Sequence, residues 1–430
     1  MVATAHSSLA IRGGPPLIPV NTHRAWPQLE DSDRDAVLAV LDRGVLCGAR
    51  APQVVGLQKE WARYCGARYC LATNSGTAAL HCAVAAAGVR PGDEVIVPAL
   101  TFIASAFAIA HQGAIPVFCD IDPRTYNIDP DAIESLVTGA TKAIMPVHLH
   151  GLPADMEQIS AIARRHRLVV IEDAAQAHGA QYHGRRVGVH GHCAAFSLNA
   201  TKMLVGGEGG LFVTDDEEAH RVACRLALFG EDARRVGGGG SSLYESHGLG
   251  WNYRCPELAA ALARTQLARL DDAIARAFEN ATILSSGLAS IKGLQPPLVP
   301  EDRTCTWHKY RLAVDWAALG FDPPYSGLRD KLIRALLAEG VSAGAWQDIP
   351  VPANPAFRRG ALEPWRAEHC CEEHESWDSG RYPVTSSVLE QSLIVGLERT
   401  PICAQNAELM HRYVDAFVKV FDHLEAALLG

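Results

Sequence analysis

Residues 69–87 read Y-C-L-A-T-N-S-G-T-A-A-L-H-C-A-V-A-A-A, an apolar stretch, a polar turn and an alanine-rich segment in direct succession. The first five residues predict a buried strand, because strands covered on both faces are continuously apolar. The turn at 74–77 ends that strand, and the alanines at 78–87 predict a helix. The same order of strand, turn and helix recurs along the following residues, which predicts a mostly parallel sheet.

The repeated pattern identifies the remaining elements of a large domain. The predicted strands are residues 94–97, 115–119, 143–147 and 168–171, and the helices between them are residues 103–111 and 156–166. Alternation of this kind belongs to the α/β class, here a three-layer α/β/α arrangement with helices on both faces of the sheet. Ligands of such sheets bind at the carboxyl ends of the strands.

The length of 430 residues exceeds what one small core organises, so we expect more than one domain. Residues 1–30 are rich in proline and glycine and predict an N-terminal arm. We expect the large domain over residues 31–270 and a smaller α+β C-terminal domain over residues 271–430.

Composition and charge exclude several classes of protein. A hydrophobic content of 48% and a charged content of 20% are typical of a well-packed globule. The net charge of −9 argues against a partner of nucleic-acid type. No window approaches the roughly 20 apolar residues of a membrane span, and residues 1–19 lack the features of a secretory signal. We therefore expect a cytoplasmic protein with no membrane partner.

The 12 cysteines are spread through apolar segments, which favours buried reduced thiols over a disulfide framework. The densest cluster is H-C-C-E-E-H at residues 369–374. Adjacent cysteines point apart in regular structure and the chain has no C-x-x-C pair, so we interpret this cluster as a polar loop. We predict no metal site.

A single lysine, Lys202, lies within residues 194–210, A-A-F-S-L-N-A-T-K-M-L-V-G-G-E-G-G, between a strand end and a glycine-rich turn. A lysine buried at such a place loses its proton more easily, because desolvation disfavours the ammonium form. The neutral amine is the form that makes an imine with a carbonyl group. A lysine beside a glycine turn is more often structural, so the rest of the chain must supply the carbonyl partner.

Three other positions at strand ends complete a site around Lys202. The turn at 74–77 offers helix N-terminal amides, a glycine and two hydroxyls, which suit a phosphate group, although an ordinary helix cap is the alternative. Asp173 either pairs with a protonated ring nitrogen or closes its strand at the surface. Phe102 either stacks on an aromatic ring or belongs to the core. Together these are the four contacts that pyridoxal phosphate requires.

Several motifs follow one another in a fixed order through most of the chain. They are N-S-G-T-A-A-L at 74–80, P-G-D-E-V-I-V-P-A-L-T-F at 91–102, D-I-D-P-R-T-Y-N-I-D at 120–129, M-P-V-H-L-H-G at 145–151, E-D-A-A-Q-A-H-G-A at 172–180, F-S-L-N-A-T-K at 196–202, G-E-G-G at 207–210 and W-N-Y-R-C-P-E-L-A-A-A at 251–261. In order and spacing they resemble the DegT/DnrJ/EryC1/StrS sugar and cyclitol aminotransferases. This resemblance implies the fold-type I, aspartate aminotransferase-like architecture of pyridoxal-phosphate enzymes, and it weakens beyond about residue 270.

By position, the resemblance implies that Lys202 is the catalytic Schiff-base lysine and that Asp173 pairs with the pyridine nitrogen. Dehydratase relatives carry histidine in place of this lysine, so its presence favours transamination. The residues implied to bind pyridoxal phosphate are Ser75, Gly76, Thr77, Phe102, Asp173, Gln176, Ser197, Lys202 and Asn252.

The remaining implied contacts surround the same cofactor. Phe102 would stack on its ring, and Gln176 would lie near the ring hydroxyl. The phosphate would be held by Gly76, Thr77 and Ser197. The resemblance also implies that Asn252 reaches the phosphate of a neighbouring subunit, so that the active unit is a homodimer.

Two departures from the family pattern concern the substrate. The family often has tyrosine or phenylalanine where this chain has His150, which predicts altered substrate contacts. The stretch at 346–377 is longer than in a typical sugar-nucleotide member. We expect the loops around residues 43–53, 234–250 and 346–380 to shape the acceptor pocket.

The sequence thus predicts an aminotransferase that moves an amino group from L-glutamine or L-glutamate to a ketone of a sugar or cyclitol, in amino-sugar or aminoglycoside antibiotic biosynthesis. Inososes and nucleotide-linked ketosugars are both open as acceptors. One alternative is a pyridoxal-phosphate enzyme with elimination, dehydration or aromatising chemistry, as in aminohydroxybenzoate formation. The other is a non-catalytic sensor or accessory protein, against which Lys202, Asp173 and Ser197 argue.

Overall fold

The computed structural model describes four stretches of the chain, which are residues 8–231, 245–325, 327–357 and 379–428. The polar cluster at 369–374 lies outside these stretches. So do the glycine-rich part of the loop at 234–250 and much of the loop at 346–380, both of which we expect to shape the acceptor pocket.

The first half of the chain contains the strands of a large sheet and one short hairpin. In chain order they are β1 (Tyr69–Thr73), β2 (Glu94–Pro98), β3 (Ile115–Cys119), β4 (Thr141–Ile144), β5 (Val169–Asp173), the hairpin strands β6 (Gln181–Tyr182) and β7 (Arg185–Arg186), β8 (Cys193–Ser197) and β9 (Gly210–Thr214).

Within the described residues, seven strands form the large sheet in the order β1-β9-β8-β5-β4-β2-β3. β9 runs antiparallel to both of its neighbours, and the other pairings are parallel. The register of β9 aligns Gly210 with Ser197 on one side and with Thr73 on the other. The ends of β1 and β8 therefore lie at the same level, and the chain segments that leave them start from one edge of the sheet.

Helices cover both faces of this sheet. In chain order, the helices up to residue 288 are α1 (Asp31–Arg43), α2 (Pro52–Cys65), α3 (Gly76–Ala86), α4 (Ala104–His111), α5 (Pro130–Ile133), α6 (Met156–His166), α7 (Glu217–Ala227), α8 (Glu257–Leu267) and α9 (Leu270–Leu288).

Successive strand residues pack against different helix layers, as the two-residue period of a strand requires. Ile171 and Phe212 belong to the core shared with α3, α4 and α7. Val170, the neighbour of Ile171, packs with α6 on the other face. Phe196 meets Trp61 of α2 edge-on, with their ring centroids 4.9 Å apart. The three-layer α/β/α arrangement follows from this alternation.

The C-terminal part of the chain builds a smaller sheet with its own helices. Its elements are β10 (Leu294–Gln295), β11 (Tyr310–Val314), α10 (Leu328–Ala338), β12 (Ala343–Gly344), α11 (Pro383–Gln391), β13 (Ser392–Val395), α12 (Ala407–Asp422) and α13 (Leu424–Leu428). Within the described residues these strands form an antiparallel sheet in the order β10-β11-β13-β12. The domain boundaries at residues 30 and 270 stay predictions.

The predicted fold class, a mostly parallel sheet between helix layers, is confirmed, and the strands at 69–73 and 115–119 have the predicted bounds. The other three strands differ from their predicted bounds, and β2 extends by one residue to Pro98. β4 ends at Ile144, before Pro146, which has no backbone N–H for a ladder. β5 continues to Asp173, because Glu172 and Asp173 still pair with Ala194 and Ala195 of β8.

The ten cysteines in the described stretches are free thiols, and all of them except Cys47 are buried. This confirms the prediction of buried reduced thiols for that part of the chain. Within the same stretches, no helix combines the length and the apolar character needed to cross a membrane.

Candidate active site

A cavity of 480 Å³ lies where the strands of the large sheet end, and residues next to β11, β12 and β13 line its other side. Residues from separate strand ends thus converge on one space. The predicted site residues that line it are Ser75, Gly76, Thr77, Phe102, Asp173, Gln176, Ser197 and Lys202.

Lys202 lies in the connection from β8 to β9, which folds back on itself. Leu198 N–H donates to the Gly209 carbonyl over 2.8 Å, and Ala200 N–H donates to the Gly207 carbonyl over 2.9 Å. The indole N–H of Trp26, from the N-terminal segment, donates to the Lys202 carbonyl over 3.2 Å. These bonds hold the lysine backbone while its side chain enters the cavity.

The electrostatic surroundings of Lys202 favour the neutral amine. Burial, and after it the positive charge of Lys309, lower the pKa of Lys202 to about 8, while Asp173, Glu398 and Glu208 oppose this shift. A lysine with such a pKa has both a neutral and a protonated form available near neutral pH. It can act as a nucleophile and as a carrier of protons.

The N-terminus of α3 forms one end of the cavity. Ser75 is the N-cap, and its hydroxyl accepts from Ala78 N–H over 3.1 Å, so the helix-cap interpretation of this residue holds. The amides of the first helical residues have no acceptor inside a helix, and they attract anions. A Cβ on Gly76 would lie 2.8 Å from the Cβ of Ser197. Glycine therefore lets this helix end approach the end of β8.

Asp173 lies at another wall of the cavity. Its Oδ2 accepts from the Ser105 hydroxyl over 2.7 Å, and its Oδ1 accepts from Ala175 N–H over 3.1 Å. Burial raises the pKa of Asp173 above its usual value. Both donors are neutral, so a cationic partner would compensate the burial of this carboxylate.

Two further residues face the space between these ends. The side chain of Phe102 lines the cavity although the residue is 56% exposed, so it is not the core phenylalanine of the alternative interpretation. The Gln176 Oε1 atom accepts from His150 N–H over 2.9 Å. Gln176 also lines the cavity, and the NH₂ group is the remaining donor of its amide.

Asn252 does not line this cavity. Its carbonyl accepts from the Asn74 side chain over 3.1 Å, and its own Oδ1 accepts from Arg254 Nε over 3.2 Å. The residue is exposed beside the turn that leads into α3. Its predicted contact requires a second subunit and stays a prediction.

The cavity therefore offers an anion-binding helix end, an exposed aromatic face, a buried carboxylate and an amine of lowered pKa. These groups match, one for one, the phosphate, the ring, the ring nitrogen and the aldehyde of pyridoxal phosphate. A family model described as the DegT/DnrJ/EryC1/StrS aminotransferase family matches residues 27–377. The chain belongs to this family. It is a pyridoxal-phosphate-dependent aminotransferase, and the predicted family and enzyme class are confirmed.

Three relatives show the range of this DegT/DnrJ/EryC1/StrS aminotransferase family. The chain is 44% identical over 251 residues to GDP-perosamine synthase of Caulobacter vibrioides, a match that covers 58% of this chain and 66% of that protein. It is 37% identical over 339 residues to a protein of Streptoalloteichus tenebrarius provisionally named L-glutamine:3-amino-2,3-dideoxy-scyllo-inosose aminotransferase, covering 78% of this chain and 79% of that protein. The crystal structure of 3-amino-5-hydroxybenzoic acid synthase superposes with a TM-score of 0.82 and 30% identity, over 96% of this chain and 100% of that chain.

The family motif at 145–151 contains His150, which the sequence predicted to alter substrate contacts. The residue is buried and does not line the 480 Å³ cavity. Its Nε2 accepts from Arg311 Nε over 3.0 Å, and a terminal nitrogen of the same guanidinium group donates to the Ser392 hydroxyl over 2.7 Å. Burial, and then the charges of Arg311 and Lys309, lower the pKa of His150 well below its usual value. Its backbone contact with Gln176 makes it a positioning residue for the cavity wall.

A buried acid behind the cavity is another feature that the sequence did not reveal. Glu172 accepts from His148 Nε2 over 3.0 Å and from the backbone amides of Gly188, His190 and Gly191 over 2.7, 2.8 and 2.6 Å. His148 Nδ1 accepts from Ala154 N–H, so the proton lies on Nε2. Burial would raise the pKa of Glu172, but these hydrogen bonds outweigh it and hold the pKa below its usual value.

The C-terminal part of the chain, around the smaller sheet, supplies cavity residues that the sequence motifs did not identify. They are His308, Lys309, Trp346 and Glu398. Gln347 links this side to the large domain, because its Nε2 donates to the Thr101 carbonyl over 2.7 Å. The signal in the sequence was W-H-K-Y-R at 307–311, where two cations alternate at the start of a buried strand. Charges at such positions need a functional or structural partner.

Proposed function

We propose that Lys202 catalyses the transfer of an amino group from L-glutamine or L-glutamate to a ketone of a sugar or cyclitol, with pyridoxal phosphate bound in the 480 Å³ cavity. One observation carries this proposal: Lys202 and the buried carboxylate of Asp173 line the same cavity as the N-terminus of α3. The presence of an amine, a ring-nitrogen partner and a phosphate seat in one space is what this cofactor needs.

Each wall of the cavity has a task in this proposal. Gly76, Thr77 and Ser197 bind the phosphate at the end of α3, where backbone amides favour an anion. Phe102 packs on the ring, and the NH₂ group of Gln176 donates toward the ring hydroxyl. When bound, pyridoxal phosphate supplies an electron-poor ring that stabilises negative charge on the donor Cα.

Asp173 keeps the ring nitrogen protonated, because its buried carboxylate is stabilised by a positive partner. Lys202 Nζ takes the proton from the donor Cα and, in the second half of the reaction, delivers a proton to the carbon that receives the amino group. A pKa of about 8 suits both steps, since the base and the acid form lie close in free energy near neutral pH.

The acceptor side of the proposal rests on space and on the relatives. A groove of 450 Å³ adjoins the cavity at Lys309, Trp346 and Glu398, so there is room for an acceptor larger than an amino acid. GDP-perosamine synthase and the Streptoalloteichus protein are named for a nucleotide sugar and a cyclitol, respectively. We therefore propose a ketosugar or an inosose, in the formation of an amino sugar or aminocyclitol.

The similarity to 3-amino-5-hydroxybenzoic acid synthase supports a second candidate function, the aromatising chemistry named for that enzyme. The two candidates differ in their products. The protein would first be treated with L-glutamine, so that it holds the amino group to be transferred. It would then be incubated with inososes, with nucleotide ketosugars and with dehydrated carbocyclic acids. An amino sugar or aminocyclitol supports the first function, and an aromatic amine that appears without either supports the second.

The central role of Lys202 is tested by Lys202→Ala. We expect loss of turnover and loss of the near-visible absorbance of the bound cofactor. Lys59→Ala, which changes an exposed lysine on α2, is the matched control and should retain both. Turnover by Lys202→Ala at the wild-type rate would exclude the proposed role.

We further propose a homodimer in which Asn252 completes the phosphate site of the partner subunit. Mixing Lys202→Ala with Asn252→Ala subunits tests this, because one site of each mixed dimer would then carry both intact residues. Random exchange should restore about a quarter of the wild-type activity. If the mixed sample is no more active than the two variants apart, Asn252 acts within its own chain.

A further inference from the structure

We propose that Lys309 binds the α-carboxylate of the amino donor. This inference rests on the proposed function, because it assigns a substrate contact inside the same cavity. It concerns a residue of the second domain, outside the motifs that carry the family resemblance.

Lys309 and Lys202 line the same cavity from opposite domains. Lys309 lies directly before β11, and 6% of its side chain is exposed. Among charged groups it has the largest effect on the pKa of Lys202, so the two side chains that share this cavity also interact electrostatically. A donor amine that reacts at Lys202 carries its carboxylate on the adjacent carbon, within reach of a neighbouring cation.

Within the described residues, the carboxylate that pairs with Lys309 is that of Glu398. The Lys309 Nζ atom lies 3.7 Å from Oε1 of Glu398, beyond hydrogen-bond distance, and the Glu398 side chain is 57% exposed. The ring centroid of Trp346 lies 5.9 Å from the same Nζ. An ammonium group that is buried against an aromatic ring, with an exposed carboxylate as its counter-ion, is suited to an exchangeable anion.

The other titratable side chains of the cavity are less suited than Lys309 to bind a carboxylate. The remaining titratable side chains that line it, among the described residues, are Asp173, Glu208, Glu398 and His308. Three of these are acidic, and burial, with the charges of both lysines, lowers the pKa of His308 well below its usual value. Once Lys202 is neutral, Lys309 is the side-chain cation left on the described cavity wall to meet a carboxylate.

In this arrangement Lys309 does not bind the phosphate of pyridoxal phosphate. Its seat is the end of α3, formed by Ser75, Gly76 and Thr77 in the large domain. Lys309 lies instead where the cavity meets the 450 Å³ groove. Lys309 should therefore contribute to the binding of the donor and not to the binding of the phosphate.

The test measures the donor half-reaction of the holoenzyme by its change in absorbance, for wild type, Lys309→Met and Lys309→Arg. Methionine keeps the length without the charge, and arginine keeps the charge. We expect Lys309→Met to raise the KM for L-glutamine and for L-glutamate alike by about 10- to 100-fold, the value of a charge-assisted contact. Lys309→Arg should recover most of this loss.

A donor that lacks the α-carboxylate identifies the group that is bound. For 4-aminobutanamide, the decarboxylated form of L-glutamine, wild type and Lys309→Met should show equal affinity, either as donor or as competing ligand. Loss for L-glutamate alone would assign Lys309 to the distal carboxylate and overturn the inference. An increase in KM for the ketone in place of the donor would overturn it as well.

Binding of 2-methyl-L-glutamate, which has no Cα hydrogen, provides a readout that does not depend on turnover. Lys309→Met should bind it more weakly by the same factor while retaining the wild-type cofactor absorbance and thermal midpoint. Unchanged binding would refute the role of Lys309 and leave the proposed function standing. If wild-type protein shows no response to either donor, the proposed function itself fails.

Discussion

The carboxylates of Glu172 and Asp173, consecutive residues at the end of β5, meet entirely different surroundings. Glu172 is fully buried and binds His148 together with three backbone amides of the chain from Gly188 to Gly191. Asp173 binds the Ser105 hydroxyl and lines the cavity. Because side chains alternate along a strand, one step in sequence separates an acid that is bound within the fold from an acid that faces the cavity.

Glu172→Gln should destabilise the protein. The new NH₂ group would face backbone N–H groups that need an acceptor, and the buried charge of the network would be lost. We expect the free energy of unfolding to fall by about 1.5–3 kcal/mol, the usual contribution of a hydrogen bond to a charged group. Thermal and urea unfolding of the cofactor-free protein measures this. A midpoint equal to that of wild type would contradict the structural role.

Asp173→Asn should leave the fold intact and impair catalysis. An amide cannot compensate a protonated ring nitrogen, so we expect turnover to fall by about 10²–10³-fold, as when one preorganised electrostatic contact is removed. Steady-state rates and the unfolding midpoint would be measured together with those of Glu172→Gln. Glu172→Gln should mainly lower the stability, whereas Asp173→Asn should mainly lower the rate. A large loss of stability for Asp173→Asn would mean that Asp173, like Glu172, mainly stabilises the fold.

The surroundings of Glu172 and Asp173 explain why the end of β5 could not be predicted from the sequence. Apolar runs predicted the strands at 69–73 and 115–119 with their observed bounds. The fifth strand was predicted to end at Ile171, directly before the two carboxylates. The strand continues because amides at 188–191 satisfy Glu172. Because the amides that stabilise the Glu172 charge lie far along the chain, the sequence around Glu172 does not reveal them.

Some residues of the candidate site could be predicted from the sequence, and others could not. Residues near strand ends of the large domain could be predicted, because strand order brings those ends together and the motifs are local. Ser105 and Lys309 could not. Ser105 is an ordinary helix residue until the fold brings its hydroxyl to Asp173, and Lys309 reaches the cavity only through the packing of the second domain. Contacts between distant segments depend on tertiary structure, which spacing does not encode.

Gly76→Ala tests the close approach of α3 to β8. The added Cβ would lie 2.8 Å from the Cβ of Ser197, so one of the two elements must move. We expect the free energy of unfolding to fall by about 1–3 kcal/mol, as for other overpacked sites, and cofactor affinity to weaken.

A second change distinguishes this clash from other effects of alanine. Ser197→Gly removes the atom that the added Cβ would meet, so the double variant should recover part of the stability lost by Gly76→Ala. Both single variants and the double variant would be compared by thermal unfolding. Strict additivity of the two changes would show that the Cβ contact is not the cause.

The proximity of Lys309 and Lys202 also predicts a shift in pH dependence. The cofactor-free protein reacts with pyridoxal phosphate through neutral Lys202. Its loading rate should therefore rise with pH and level off above a pKa of about 8. Lys309→Met removes a positive charge that disfavours the ammonium form, so the pKa of Lys202 should rise and the midpoint of the loading profile should move to higher pH.

Lys309→Arg is the control for this shift and should leave the midpoint in place, because it retains the charge. Asp173, Glu208 and Glu398 oppose the lowering of the Lys202 pKa in all three proteins, so their effect cancels in the comparison. A midpoint that is equal in wild type and Lys309→Met would mean that solvent or Glu398 screens the two lysines from each other. In that case the charge of Lys309 would not reach Lys202, and this result would argue against a carboxylate bound between them.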